Sequence, residues 1–231
     1  PKEKLALKPY AVWDFEGNLK ASVSSLDLTA HGKISYENGS VLLEGAYLES
    51  PKLPLTLKAK TLEVWCTLKN LTQRGGGVMT LQGQTSFDSI VYGERQPKQW
   101  ISGSENHVRT QDFAGAMAED ERNEPLQLVM VYKEDGTTTL YRNGSPYGES
   151  YKKGAVTFLK GESTVLFGLR HLPAGGNKYL SVLLDKARLY DRALTAEEVV
   201  LAGEGKFVGV SAQEITAAMS PEDIDRIEVV R

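Results

Sequence analysis

Short stretches in which apolar and polar residues alternate make up most of the chain from Val12 to Tyr190. Gly, Asn and Asp residues separate these stretches, as is typical where tight turns join neighbouring strands. Helical spacing of apolar residues is nearly absent from the same region. The pattern predicts antiparallel strands at residues 33–36, 41–43, 61–67, 77–82, 89–92, 127–133, 137–142, 163–168 and 180–190. So many strands favour two stacked sheets, because each sheet must bury one apolar face.

Two dipeptides mark tight turns in the middle of the chain. Asp135-Gly136 and Asn143-Gly144 each follow a run rich in β-branched and aromatic residues. These dipeptides supply the positive φ angles that short hairpin turns require. We therefore expect a hairpin, a second turn, and a further strand or loop through Tyr147.

The pattern changes after Asp191, where the residues favour a helix. Thr195 and Glu198 have the spacing of a capping box, and Gly203 follows as a stop signal. This spacing predicts a short helix over residues 196–202.

Further helix-start signals lie at Ser211 and at Ser220-Pro221. We therefore predict a β-sandwich domain over residues 1–205 and a small helical extension or linker over residues 206–231.

The composition excludes several classes of protein. The 231 residues include 27 Lys or Arg and 30 Asp or Glu, which gives a net charge of −3 and disfavours nucleic acid as a partner. Apolar stretches such as 128–132 are far shorter than the roughly 18 to 20 residues that cross a bilayer, so we expect no membrane span. Cys66 is the only cysteine, which excludes an internal disulfide and a CxxCH haem attachment site.

Three segments combine into a wider pattern: WDFEG at 13–17, LYRNG at 140–144 and DKARLYDRALTAEEV at 185–199. Together they resemble the laminin-G-like, concanavalin A-like jelly-roll family over about residues 10–203. The last segment is the most specific, because it joins an acidic residue, a strand, a YDRAL motif and a capped helix. The resemblance implies an all-β fold, a sandwich of two antiparallel sheets with a short helix after the last strand and a small helical C-terminal extension.

Several side chains have a ready role in such a sandwich. Trp65 and Phe167 are bulky apolar groups that we expect to fill the gap between the sheets. Leu194 and Val199 are expected to hold the helix against the edge of the sandwich.

Three further segments, RGGG at 74–77, GLRH at 168–171 and PAGGN at 173–177, resemble modules of large exported bacterial proteins that elsewhere carry a cytochrome-c-type domain. That resemblance implies a periplasmic or extracellular location, other domains of the same polypeptide as partners, and no haem on this segment. The chain opens at Pro1 and has no signal peptide, so we expect it to be part of a longer protein.

Because the family includes glycan hydrolases and lyases, a catalytic carboxylate pair is the first chemistry to look for. Retaining hydrolysis needs two carboxyl groups about 5 to 5.5 Å apart, a spacing that alternate positions on one strand supply. No predicted strand carries an E-x-D-x-x-E pattern, and its closest counterpart, at 223–228, follows the helix start at Ser220-Pro221. We therefore predict a binding module and no enzyme, with a divergent hydrolase or lyase as an alternative.

Acidic residues near the two ends of the sandwich suggest a metal site. Asp14 and Glu16 stand at the start of the first strand and Asp185 at the start of the last, and these strands pair in jelly rolls. Calcium takes six to eight oxygen ligands, and the family's sites combine one or two carboxylates with backbone carbonyls. The resemblance therefore implies one structural calcium ion at Asp185, with Asp14 or Glu16 assisting. The alternative is solvation, or a salt bridge from Asp185 to Lys186 or Arg188.

Aromatic and basic side chains lie in or beside the long segments between strands, and such groups stack on sugar rings or donate to sugar hydroxyls. These candidates are Tyr92, Arg95, Trp100, His107, Arg109, Arg170 and His171. We predict that segments 92–115 and 168–177 approach each other, so that Trp100, Arg109, Arg170 and His171 share one groove for a glycan or another envelope component.

Two alternatives to this groove remain open. In the first, Trp100 caps a sheet edge and Arg170 pairs with an acidic residue near Glu94 or Asp112, so that both have only a structural role. In the second, the domain docks a neighbouring domain of its own polypeptide instead of binding a glycan.

Overall fold

The computed structural model describes residues 7–120 and 124–207. Within this part of the chain, two antiparallel sheets pack face to face and one short α-helix follows the last strand. The strands, β1 to β16 in chain order, are Ala11–Trp13, Ala21–Val23, Thr29–His31, Ser35–Glu37, Ser40–Leu43, Tyr47–Glu49, Lys60–Leu68, Gly76–Gln82, Phe87–Tyr92, Trp100–Ser104, Leu126–Tyr132, Thr137–Arg142, Ser145–Pro146, Tyr151–Lys152, Thr164–Phe167 and Val182–Tyr190.

The two sheets have different widths. The larger, ten-stranded sheet runs β13-β12-β11-β7-β16-β1-β2, with β14 paired to β12, β5 paired to β16 and β4 paired to β5. The smaller, six-stranded sheet runs β10-β9-β8-β15-β6-β3. The predicted all-β sandwich is therefore confirmed, and each of the nine predicted strands overlaps a strand of the structure.

The first and last strands are neighbours in the larger sheet. β1 pairs antiparallel with β16, which places Ala11 opposite Leu189 and Trp13 opposite Ala187. This pairing confirms the expectation that the two end strands of the jelly roll lie side by side.

Aromatic side chains fill the centre of the gap between the sheets. Phe167 packs edge-on against Trp13 and Phe15, with ring centroids 5.3 and 5.4 Å apart. The indole N–H of Trp13 donates to the carbonyl of Leu26 at 2.8 Å, so the one polar atom of this buried ring is paired. Phe167 has its predicted place, and Trp13 is the tryptophan beside it.

Trp65 does not lie in the gap, so its predicted position is wrong. Side chains alternate along β7, and Leu62, Val64 and Cys66 point into the core. Trp65 therefore points outward, where the ring of Phe207 stacks on it at 5.5 Å. The chain that follows the helix covers this tryptophan, which is why it is only 5% exposed.

The helix α1, Ala196–Ala202, begins as predicted. The Thr195 side chain accepts from the Glu198 N–H at 3.2 Å, and the Glu198 carboxylate accepts from the Thr195 N–H at 3.1 Å. Leu194 and Val199 pack against Val129, Val131 and Tyr190 on the outward face of the larger sheet.

No helix in the described ranges is long and apolar enough to cross a membrane. Most of the predicted extension at 206–231 lies outside the described residues.

Both predicted turns are present. The turn at Asp135-Gly136 joins β11 to β12, and Gly136 has φ +91°. Asn143 and Gly144 have φ +50° and +82° and join β12 to β13. The second turn therefore has positive φ at both of its central positions, which is the geometry of a tight two-residue hairpin turn.

Candidate functional site

A surface loop crosses the outward face of the six-stranded sheet. Leu81 and Ile90 point into the core, so their neighbours Thr80 and Ser89 point outward, and their hydroxyls hydrogen bond at 2.6 Å. The Thr80 hydroxyl also donates to the carbonyl of Leu169 at 2.9 Å. These contacts anchor the segment 168–180, which we call the crossing loop, to the sheet.

A glycine lets the crossing loop approach so closely. A Cβ on Gly77 would lie 2.5 Å from the Arg170 Cα and 2.6 Å from the Ser89 hydroxyl oxygen. Since real Cβ atoms do not approach backbone atoms at that distance, any side chain at Gly77 would displace the loop. The glycine run at 75–77 thus has a structural role, because it makes room for the loop that carries Arg170 and His171.

An open groove of about 390 Å³ lies between the crossing loop and the 3₁₀ turn at Glu105–His107. Polar side chains dominate its lining, and one aromatic pair lies among them. The lining includes Gln82, Phe87, Glu94, His107, Arg170 and His171. This volume lies in the range of sites that bind small ligands.

The aromatic pair consists of His171 and Phe87. Their rings stack with centroids 4.4 Å apart and planes 24° apart. His171 Nδ1 lies 2.8 Å from the Leu172 carbonyl oxygen, and the Leu172 N–H donates to Gln82 at 2.8 Å. Burial lowers the pKa of His171 below its ordinary value, so the imidazole is neutral at pH 7 and offers a flat, uncharged ring.

The charged groups of the groove are paired with one another. Glu94 Oε1 lies 3.1 Å from Arg170 Nη1 and 3.7 Å from His107 Nε2. Arg170 also donates to the Gly75 carbonyl at 2.8 Å. This confirms the alternative that Arg170 pairs with an acidic residue near Glu94. Part of the hydrogen-bonding capacity of the guanidinium is therefore used within the protein.

Arg109 lies behind the groove, not in its lining. Its guanidinium bonds to Glu105 Oε1 at 2.6 Å and to Asp88 Oδ1 at 3.1 Å. Glu105 in turn accepts from the Phe87 N–H at 3.0 Å. Arg109 is therefore positioned to hold the 3₁₀ turn against β9, and its place differs from the predicted one.

Trp100 also lies away from the groove. It is 1% exposed, packs at 5.0 Å against the equally buried ring of Tyr92, and donates from its indole N–H to Glu119 at 2.9 Å. A ring with no exposed face has no surface on which a sugar can stack. The reason is local: residues 100–104 form β10, although the sequence between 92 and 115 has little strand character.

The other candidates have separate positions. The Tyr92 hydroxyl donates to the Leu71 carbonyl at 2.8 Å, and Arg95 pairs with Asp112 at 2.9 Å. His107 is exposed and lines the groove. The structure thus brings together His107, Arg170 and His171, three of the seven candidates.

Phe87, Gln82 and Glu94 are groove residues that the sequence reasoning missed. Phe87 and Gln82 are paired across β8 and β9, and both point outward from the sheet. The available signal is that Gln82 and Phe87 alternate with Leu81 and Asp88, which point to the other side of the sheet. This signal identifies the two residues as neighbours only once the pairing register of the two strands is known.

Asp185, the predicted metal ligand, occupies a β-bulge. The pairing of β16 with β7 shifts between Leu184 and Lys186, which leaves Asp185 as the extra residue. Its Oδ1 accepts from the Ser40 hydroxyl, while its Oδ2 is buried and has no hydrogen-bond partner. A buried carboxylate oxygen without a donor is the kind of atom that a cation satisfies, so Asp185 fits the calcium prediction.

The other two predicted ligands contribute less. Asp14 is half-buried and Glu16 is exposed. The Gly17 N–H donates to the Gly39 carbonyl at 2.9 Å, so this loop lies beside the turn that contacts Asp185 through Ser40. Among the described residues, no three His, Cys, Asp or Glu side chains form a group able to hold a metal ion. A cation here would rely on Asp185 and backbone carbonyls.

Comparison with sequence families gives a match over most of the chain. The profile of the concanavalin A-like lectin/glucanases superfamily matches residues 42–200. No curated protein matches the chain.

Several solved structures share the fold. One is domain 4 of AbnA, a GH43 extracellular arabinanase from Geobacillus stearothermophilus, in complex with arabinotriose: the identity is 19%, the TM-score is 0.68, and the match covers 85% of this chain and 98% of that one. The binding domain of botulinum neurotoxin serotype G has 14% identity and a TM-score of 0.60 over 85% of this chain and 51% of the toxin chain.

A sialidase from Trypanosoma rangeli, in complex with 2,3-difluorosialic acid, has 14% identity and a TM-score of 0.60. The match covers 89% of this chain and 33% of the sialidase chain, so this chain corresponds to about a third of that enzyme. At such identities the similarity shows the fold alone.

Proposed function

Since the chain belongs to the concanavalin A-like lectin/glucanases superfamily, we propose that it is a non-catalytic module that binds glycan in the groove beside the crossing loop. The observation that carries the proposal is the stacked pair of His171 and Phe87 among the polar side chains of that groove. Glycan sites combine a flat ring for the apolar face of a sugar with polar groups for its hydroxyls.

The polar lining supports glycan binding over the docking of a neighbouring domain. Docking between domains of one chain favours a contiguous apolar patch, whereas this groove is lined mainly by amide, hydroxyl and charged groups. Docking through another surface remains the alternative function.

The electrostatics of the groove support binding over hydrolysis. A general acid in a glycosidase needs a carboxyl group with a raised pKa. Burial alone would raise the pKa of Glu105, but hydrogen bonds from Arg109 and the Phe87 N–H lower it below its usual value. Glu94, whose carboxylate also lines the groove, is paired with Arg170 and His107.

The setting of the domain is part of the proposal. We place it in an exported protein, in the periplasm or outside the cell, because the arabinanase whose domain shares this fold is extracellular. In such a protein the module would hold neighbouring domains of the same polypeptide near their substrate, whether or not one of them carries haem.

A structural calcium ion at Asp185 is a second proposal. The buried, unpartnered Oδ2 supports it, and the Ser40 hydroxyl on Oδ1 fixes the carboxylate beside the turn at 38–40. The ion would stabilise the junction of the first and last strands without taking part in glycan binding.

A glycan array tests the proposed function directly. Wild type is compared with His171→Ala, which removes the stacked ring, and with Lys152→Ala, an exposed position on β14, as the control. We expect specific glycan signals for wild type and Lys152→Ala, and a loss of about tenfold or more in affinity for His171→Ala. No glycan bound by wild type, or signals unchanged by His171→Ala, would refute the groove.

A further inference from the structure

A second group of aromatic side chains lies on the outward face of the same six-stranded sheet, at its β3 edge. Leu48 of β6 points into the core, so Tyr47 and Glu49 on either side of it point outward. The register of β3 with β6 places His31 directly opposite Tyr47. With Tyr179 of the crossing loop, these residues form a cluster that we call the edge patch: His31, Tyr47, Glu49 and Tyr179.

The edge patch is ordered by its own contacts. The rings of His31 and Tyr47 stack at 4.5 Å with planes only 7° apart, and Tyr179 lies 6.5 Å from Tyr47 at 46°. His31 Nε2 lies 3.3 Å from Glu49 Oε1, and the Thr164 hydroxyl donates to Glu49 Oε2 at 3.1 Å. The rings are therefore held in place before any ligand arrives, which reduces the entropy lost on binding.

The patch is accessible and has unused polar groups. The His31 side chain is 41% exposed, and Tyr47 and Tyr179 are half-buried. Within the described part of the chain, the hydroxyls of both tyrosines have no hydrogen-bond partner. Exposed ring surface beside free hydroxyls and a fixed carboxylate is the combination that recognises sugars.

The crossing loop connects the patch to the groove. Leu169 pairs with Tyr179, and the Arg170 N–H donates to the Lys178 carbonyl at 2.8 Å. One side of this short hairpin therefore carries Arg170 and His171 into the groove, while the other carries Tyr179 into the patch. The groove and the patch therefore lie on opposite sides of one loop.

We propose that the edge patch is a second saccharide-binding site, which takes neutral sugar residues of the same chain that the groove binds. This inference rests on the proposed function, because the groove supplies the first point of attachment.

The charged side chains that line the groove and the edge patch favour a neutral glycan. In the groove, Arg170 and His107 face Glu94; in the patch, His31 faces Glu49. Each of these basic groups already faces a carboxylate within the protein. An acidic glycan would have to break these pairs, whereas a neutral chain needs only ring surface and hydrogen-bonding groups.

Two adjacent sites on one surface have a measurable consequence. A chain long enough to reach both makes its second contact intramolecularly, at a high effective concentration. A short oligosaccharide occupies the groove alone. Affinity should therefore rise with chain length, and the rise should depend on the patch.

The experiment is calorimetric titration with neutral arabino-, xylo-, cello- and manno-oligosaccharides, each as trisaccharide and octasaccharide. The variants are Tyr47→Ala and Tyr179→Ala in the patch, and His171→Ala in the groove. Tyr36→Ala is the matched control, because Tyr36 is an exposed tyrosine of β4 in the other sheet. Tyr179→Ala lies in a loop and guards against misfolding of the strand variant.

For at least one series, we expect wild type and Tyr36→Ala to bind the octasaccharide about tenfold or more tightly than the trisaccharide. Both patch variants should keep trisaccharide affinity and lose the gain with length. A gain that survives both patch variants, or no gain in wild type, overturns the patch.

The failure of the groove looks different. Octasaccharide binding that is weakened by Tyr47→Ala and not by His171→Ala would refute the proposed groove and keep the patch as a site. No binding of any oligosaccharide by wild type would refute both.

Discussion

Lys60 of the larger sheet and Asp88 of the smaller sheet form an ion pair of 2.7 Å across the interior of the sandwich. Their side chains are 2% and 1% exposed. The ammonium of Lys60 also lies 4.4 Å from the ring centroid of Tyr132 and 4.8 Å from that of Phe158. Asp88 also pairs with Arg109, so a series of paired charged side chains extends from the core to the 3₁₀ turn beside the groove.

Asp88→Ala should destabilise the domain strongly, because it leaves the Lys60 ammonium buried without its carboxylate. Removing one partner of a buried ion pair costs about 3 to 5 kcal/mol. Urea unfolding followed by tryptophan fluorescence measures the change. Asp27→Ala, at an exposed position, is the control. A loss below about 1 kcal/mol would show that the pair is not buried as the structure has it.

Trp100→Ala should reduce stability and leave the glycan affinity of the folded protein unchanged. Truncating a fully buried tryptophan costs about 3 to 5 kcal/mol, and Glu119 loses the indole N–H as a donor. The free energy of unfolding and the glycan affinity are measured on the same sample below its melting temperature. A selective loss of affinity at unchanged stability would restore Trp100 to the binding site.

Glu63 should make stability depend on pH. Burial raises the pKa of Glu63 to about 7 from 4.5, although Arg188 opposes the shift. A raised folded-state pKa stabilises the native state most below the unfolded value and loses that contribution as pH rises toward 7. Glu63→Gln should therefore gain stability relative to wild type between pH 4.5 and about 7.

The measurement for Glu63 is the free energy of unfolding of wild type and Glu63→Gln across that pH range. Glu44→Gln, at an exposed position, is the control. If the free energy of unfolding of Glu63→Gln stays constant or falls relative to that of wild type as pH rises, the shift is contradicted.

Calcium should raise the melting temperature of wild type and not of Asp185→Asn. An ion that binds only the native state adds about 2.7 kcal/mol at a hundredfold excess over its Kd. Calorimetric melting in chelator and in millimolar calcium measures the difference. Equal melting temperatures of wild type under both conditions would exclude the ion, and a calcium response retained by Asp185→Asn would move it elsewhere.

The fold could be predicted largely from local signals. Asn143-Gly144 requires positive φ angles wherever it lies, and the Thr195–Glu198 capping box needs only four neighbouring residues. Such features depend little on the rest of the chain. Trp65 shows the limit of this reasoning, because its position depends on which alternate residues of β7 point into the core. Glu63 lies on the same side of the strand as Trp65, and a glutamate there indicates the side that faces away from the core.

The candidate site was harder to predict, because it is assembled from segments far apart in sequence. His171 was selected for its chemistry, but its partner Phe87 lies on the distant strand β9 and is found only from the register of the sheet. Trp100 and Arg109 were selected by the same chemistry and are held by Glu119, Glu105 and Asp88 instead. Residue type alone does not distinguish a side chain that binds ligand from one that is paired inside the protein.

The pairing of the first and last strands has a mechanical consequence. Ala11 lies opposite Leu189 in an antiparallel pair, so the chain enters β1 and leaves β16 at the same end of the two strands. A force applied through the flanking segments would pull these strands apart from that end, breaking their perpendicular hydrogen bonds one after another and not all together in shear. Helix α1, which follows β16 and packs on the outward face of the larger sheet, would be the first element to carry the load. Under tension, this domain should therefore open at low force, starting from the seam between its own ends.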